Sequence, residues 1–120
     1  MRINIFRRIK RAVFGLASVI TSDTSVRSMS VIGILVIAAA FWLQISRIEF
    51  IVVLVIIFSV ITIEGINTIL ERVIDLVEPR YKDIIGEIKD ALAGFVLLSS
   101  IGAAIVGAII FWPYLAEKFI

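Results

Sequence analysis

Three stretches of this 120-residue chain are each apolar and long enough to cross a bilayer. That limits its fold more than any other feature. They run from about Ser28 to Ser46, from about Ile48 to Ile66, and from about Ala91 to Leu115. A helical crossing needs roughly 20 predominantly apolar residues. The totals agree: 61% of residues are apolar, against about 45–50% in an ordinary soluble domain. One all-α membrane-embedded domain over residues 1–120 is expected. The turn between the first two spans, around Ser46 and Arg47, is so short that they must form an antiparallel hairpin. The second helix should continue past its apolar run to about Val77, with Pro79 ending it. Residues 78–90 read as a polar connection. Small residues in the third span, among them Gly94, Gly102, Ala103 and Gly107, allow close helix approach. Trp42 and Trp112 lie near span ends, as interfacial belt residues or as plain lipid-facing packing.

Before the spans, Ile5, Ile9, Val13, Leu16 and Ile20 recur at spacings of three and four, with Arg and Lys between them. This predicts a basic amphipathic helix over about residues 4–20, lying on the membrane surface. Its basic face can bind anionic lipid. The segment 21–30 is a polar break in which Ser22 or Asp23 can cap the next helix. Orientation follows from the basic residues. Arg2, Arg7, Arg8, Lys10, Arg11 and Arg27 precede the first span, and Arg72, Arg80, Lys82 and Lys89 lie between the second and third. Only Arg47 and Lys118 fall on the other side. This bias places the amino terminus and the loop after Val77 in the cytoplasm.

The chain has no Cys and no His. Thiolate nucleophiles, zinc–thiolate sites and His acid–base chemistry are therefore excluded, which leaves carboxylates, Lys and Tyr. Four polar residues carry most of the functional signal: Glu64, Asn67, Glu71 and Asp75. They follow the uncharged run 50–63 directly. At about 100° per residue they share a stripe roughly 80° wide on one helix. Carboxylates at membrane depth are costly and mark function by default. Two carboxylates with an amide between suit a divalent cation and the phosphates it carries. The plainer reading is an acidic helix end that has left the bilayer, most applicable to Asp75. Lys89 either snorkels to the headgroups or reaches a phosphate.

The stretch Glu64-Gly65-Ile66-Asn67-Thr68-Ile69-Leu70-Glu71-Arg72-Val73-Ile74-Asp75 resembles the signature E-x-x-N-[TS]-A-[IV]-E-x-x-[VI]-D of the small prokaryotic diacylglycerol kinases. Lys89-Asp90-Ala91-Leu92-Ala93-Gly94 resembles that family's second block, and Gly15-Leu16 with Asp23 to Arg27 resembles its upstream pattern. The likeness covers nearly the whole chain. It departs at three places: Asp23 stands where the family usually has Glu, Ile69 where it has Ala, and Lys82 where a His is frequent. The resemblance implies an integral-membrane lipid kinase that uses ATP and Mg²⁺, forms a homotrimer, and works at the cytoplasmic face of a bacterial cytoplasmic membrane. It implies Glu64 as catalytic base, and Asp23, Glu71 and Asn67 as the metal site. It implies Lys89, Asp90, Asp75 and Glu71 as nucleotide contacts.

The acceptor implied is a membrane lipid alcohol, either undecaprenol or diacylglycerol. The Leu76-Val77-Glu78-Pro79 and Ile110-Phe111-Trp112-Pro113 stretches resemble Gram-positive members, which favours undecaprenol. No nucleic-acid partner is expected. The chemistry agrees with the likeness: phosphoryl transfer needs charge neutralisation and alignment, and a polar stripe at the membrane edge is where a lipid hydroxyl and a water-borne phosphate can meet. Two other readings stay open. One is a three-span channel or holin-like protein, which leaves the aligned acids unexplained. The other is a family member without activity, acting as a membrane scaffold.

Overall fold

The computed structural model describes residues 2–120, with side chains from Asn4 onward; Met1 and the Arg2 side chain lie outside the described residues. Four helices follow one another: α1 (Arg2–Ser22), α2 (Thr24–Leu43), α3 (Arg47–Val77) and α4 (Asp83–Phe119). The last three are long and apolar enough to cross a membrane. α3 is the middle helix of the bundle, packed on α2 and on α4. The molecule measures 54 × 45 × 21 Å. At 1.5 Å per residue, the 37 residues of α4 account for the longest dimension.

Each helix boundary has a local cause. α1 and α2 are separated by Asp23 alone, whose extended backbone (φ −111°, ψ 120°) breaks the helix. Its carboxylate accepts from Val26 N–H at 2.9 Å and so starts α2. α2 ends at Gln44, whose φ of 54° is left-handed. That geometry lets Gln44 and Ile45 donate their N–H groups back to Phe41 and Ala40, closing the helix end. Ser46 then caps α3 in a capping box with Glu49. The hairpin expected around Ser46 and Arg47 is thus built from one αL residue and one reciprocal cap. Val77 is the last residue of α3, with Glu78 as its cap and Pro79 beyond.

One boundary differs from the sequence reading. Residues 78–90 are not a polar connection, because α4 starts at Asp83 and the link is only residues 78–82. Ile84, Ile85 and Ile88 recur at helical spacing, and this is enough to extend the third helix well before its apolar run. Glu78 closes the link: it pairs with Lys82 at 3.0 Å and with Arg80 at 3.2 Å.

Few side chains are buried by the chain itself. The buried apolar set is Val26, Ala40, Leu43, Val53 and Ile110. α2 and α3 pack tightly at Gly33, where an added Cβ would lie 2.8 Å from the side-chain atom Ile57 Cγ2. Between α2, α3 and α4 runs an apolar slot of about 350 Å³, lined by Gly33, Val53, Ile57, Ala103, Gly107 and Ile110 among others. At the hairpin end, Tyr114 of α4 donates its hydroxyl to Glu49. Trp42 packs against Phe119 with the rings tilted by 40°, and Lys118 Nζ sits 4.3 Å over the Trp42 ring. Within the spans, Ser30 and Ser59 satisfy their hydroxyls on the carbonyls of Val26 and Val55, as hydroxyls in an apolar helix must.

Candidate active site

The polar stripe predicted from spacing is continuous: Glu64, Asn67, Glu71 and Asp75 all lie on α3. They sit at the end of the bundle away from the hairpin. There α3 meets the α1–α2 junction on one side and the start of α4 on the other. Burial falls along the stripe. Glu64 is 7% exposed, Asn67 and Glu71 are half-buried, and Asp75 is exposed. Asp75 is thus the member of the stripe with the most solvent-exposed surroundings and Glu64 the least.

Asp23 reaches the stripe from the α1–α2 junction. Thr68 of α3 donates its hydroxyl toward Asp23 Oδ2 at 3.2 Å, across 45 residues of sequence. The same hydroxyl lies 3.1 Å from the Glu64 carbonyl. Arg72, one turn on, donates to Ser22 Oγ at 2.8 Å. Asp23 and Glu71 both act electrostatically on Glu64. Asn67 donates its amide toward Glu71 Oε1 at 3.5 Å, which leaves Asn67 Oδ1 buried without a hydrogen-bond partner. One turn beyond Glu71 on the same stripe, Asp75 pairs with Lys89 of α4 at 2.6 Å. This ion pair ties α4 to the stripe. Asp90, next to Lys89, is exposed.

Of the positions singled out in the sequence, the structure gathers Asp23, Glu64, Asn67 and Glu71 at one place and pairs Asp75 with Lys89 beside them. Sequence reasoning missed Thr68, Arg72 and Ser22 as connectors. A signal was present. On a helical wheel Thr68 and Arg72 fall about 40° and 80° from Glu64, in the row next to the acids. The Asp23 cap expected from local sequence is real, and it coexists with contact to α3.

The donor set fits a hard divalent cation. Carboxylate oxygens of Asp23 and Glu71 and the orphaned amide oxygen of Asn67 are the right chemistry for Mg²⁺. Three neighbouring carboxylates also repel one another, which a cation relieves. Among the described residues no three acids by themselves converge as a metal cage. Mg²⁺ does not require one, since it keeps waters and phosphate oxygens in its shell.

The fold and this site define a helical, multi-pass membrane protein with a group of acidic side chains at one end of its bundle. Comparison with protein-family profiles matches residues 10–111 to the prokaryotic diacylglycerol kinase family. The chain belongs to that family, whose named members are lipid kinases. An undecaprenol kinase of Bacillus subtilis (strain 168) is 30% identical over 80 residues, covering 67% of this chain and 65% of that protein. A diacylglycerol kinase of Synechocystis sp. is 33% identical over 118 residues, covering 98% of this chain and 67% of that protein. The diacylglycerol kinase of Escherichia coli (strain K12) is 26% identical over 100 residues, covering 83% of this chain and 82% of that protein. The chain thus spans about two thirds of the length of the first two relatives.

Proposed function

We propose that this protein transfers the terminal phosphate of ATP to the hydroxyl of a membrane lipid alcohol, undecaprenol or diacylglycerol. The observation that carries this reading is Glu64. It is a carboxylate, 7% exposed, at the edge of the apolar run and beside Asp23 and Glu71. Among the described residues its carboxylate accepts no hydrogen bond, while its backbone carbonyl accepts from the Thr68 hydroxyl. A buried carboxylate kept free at the membrane edge is suited to take a proton from an alcohol that arrives through lipid. Asp23, Glu71 and Asn67 would hold Mg²⁺, which when bound supplies neutralising charge for the phosphates. Lys89, Asp75, Asp90 and Glu71 would contact the nucleotide. Because Lys89 is paired with Asp75, its ammonium is already held beside the acids, and a phosphate would compete with Asp75 for it.

The topology belongs to this reading. The basic residues flanking the site end favour placing it in the cytoplasm of a bacterial cell, where ATP is available. α1 then lies on the membrane surface. Its residues 4–18 are all exposed in the single chain, so Ile5, Ile9, Val13 and Leu16 need lipid to cover them. A homotrimer is also part of the reading. Its support is that no residue in the apolar window of α4 is buried by the chain itself.

The experiment is ATP-dependent phosphorylation of diacylglycerol and of undecaprenol, run in parallel on purified protein. Label should enter one of the two lipids. Transfer to neither would leave a membrane scaffold. Glu64→Gln keeps size and hydrogen bonding but removes the base. It should lower kcat by about 10²–10⁴ and leave ATP affinity within about twofold of wild type by the same logic. If turnover persists and only oligomer stability falls, Glu64 is structural.

A further inference from the structure

We infer that Thr68 is a positioning residue that assigns separate tasks to the two oxygens of Asp23, one to the helix cap and one to the cation. This rests on the reading of Asp23 as a metal ligand. Both hydrogen bonds that the Asp23 carboxylate accepts from the described residues fall on the same atom. Val26 N–H reaches Oδ2 at 2.9 Å and Thr68 Oγ1 reaches Oδ2 at 3.2 Å. Oδ1 receives neither. A carboxylate has about four acceptor positions spread over its two oxygens, so capping α2 does not use up the group.

The two donors hold the carboxylate in different ways. Val26 is on the same helix that Asp23 caps, and its side chain is 1% exposed, so it fixes Asp23 only within α2. Thr68 is on α3, among Glu64, Asn67 and Glu71. It fixes Asp23 relative to the other candidate donors. The terminal torsion of Asp is broad, so a carboxylate held by one donor can swing about it. Two donors from two helices on one oxygen restrict that swing and hold the other oxygen in a fixed direction. Thr68 has one hydroxyl proton and two acceptors within reach, the Glu64 carbonyl at 3.1 Å and Asp23. An ionised carboxylate is the stronger acceptor, and Thr68 is 6% exposed, so water does not compete. A hydroxyl that orients a ligand in this way is a second partner to the metal, and loss of such partners typically weakens metal affinity about 10–100-fold.

The test uses the full chain in detergent, with Mn²⁺ and ATP as probe. Mn²⁺ binding is read from loss of the free-ion EPR signal, and thermal unfolding is read without metal. Thr68→Val removes the hydroxyl and keeps the shape. It should weaken Mn²⁺ binding in the presence of ATP about 10–100-fold. Thr68→Ala should do the same and serves if the Val variant does not fold. Thr68→Ser keeps the hydroxyl and loses the methyl. It should bind within about threefold of wild type on the same scale, whereas a packing role predicts that Ser fails like Ala. Asp23→Asn keeps the cap and loses the charge. It should weaken binding at least as much as Thr68→Val while melting near wild type. If Asp23→Asn binds Mn²⁺ as wild type does, the ligand role of Asp23 is wrong and the role of Thr68 falls with it. If Asp23→Asn weakens binding but Thr68→Val and Thr68→Ala do not, Asp23 is a ligand and Thr68 only packs.

Discussion

Asp23 has to suit two tasks that favour different side-chain lengths. Judged by the family pattern alone, Asp23→Glu restores the usual residue and should preserve or raise activity. The structure adds a cost, because Asp23 is the N-cap of α2 and Glu is not among the residues that cap well. Losing a cap costs about 0.5–2 kcal/mol. Asp23→Glu should therefore lower the thermal unfolding midpoint in detergent, while Asp23→Asn should not. Equal melting of both variants would mean the cap contributes nothing. Glu78 gives a second prediction at this scale. Its carboxyl is held below the ordinary 4.5 by Lys82 first and Arg80 second. A lowered folded-state pKa stabilises the link fully above the ordinary value, and that contribution is lost as pH falls through the folded pKa. The α3–α4 link should loosen only below about pH 4.5, and amide exchange at residues 78–82 should report it. Glu78→Gln should remove that acid dependence. Faster exchange beginning near neutral pH would point to another group.

At the scale of helices, the hairpin and the α2–α3 contact make the sharpest demands. Gln44 holds a left-handed backbone, which costs an L-residue roughly 1–2 kcal/mol. Gln44→Val puts a β-branched side chain there and should destabilise the protein by about that much in thermal unfolding. Gln44→Gly should not. Gly33 faces Ile57 Cγ2 at a distance no Cβ tolerates. The atom it would strike is a methyl close to the backbone, which cannot swing aside easily. Gly33→Ala should cost about 1–3 kcal/mol through overpacking, read as a lower midpoint without change in helix content. Unchanged stability would show that α2 and α3 can separate freely there. Helix existence was legible at this scale from apolar runs and caps. The start of α4 was not, because acids and lysines hid the Ile84, Ile85, Ile88 repeat that makes residues 83–90 helical.

For the molecule as a whole, the chain buries too little of itself to be complete in water. Among the described residues five apolar ones form the buried set, and most large apolar side chains on α2, α3 and α4 remain uncovered. Since uncovered apolar surface costs roughly 25 cal/mol per Å² in water, the missing cover has to come from lipid or from further copies of the chain. The proposed homotrimer predicts a detergent-corrected mass near three times 13.3 kDa by sedimentation or native mass spectrometry. A monomeric mass with full activity would refute it and leave lipid as the only cover.

The sequence by itself determined the features set by local, one-dimensional physics. Apolar run lengths dictated three spans, a short polar gap dictated the antiparallel hairpin, and a spacing of three and four aligned Glu64, Asn67, Glu71 and Asp75 on one helix face. Bilayer thickness and helical pitch govern all of these, and neither depends on a distant residue. Only the tertiary structure decided which groups meet across the helices. Asp23 joins Thr68, Ser22 joins Arg72, and Asp75 joins Lys89 because α3 packs between the α1–α2 junction and α4. Partners separated by 45, 50 and 14 residues in sequence leave no periodic trace. Their pairing is set by helix packing.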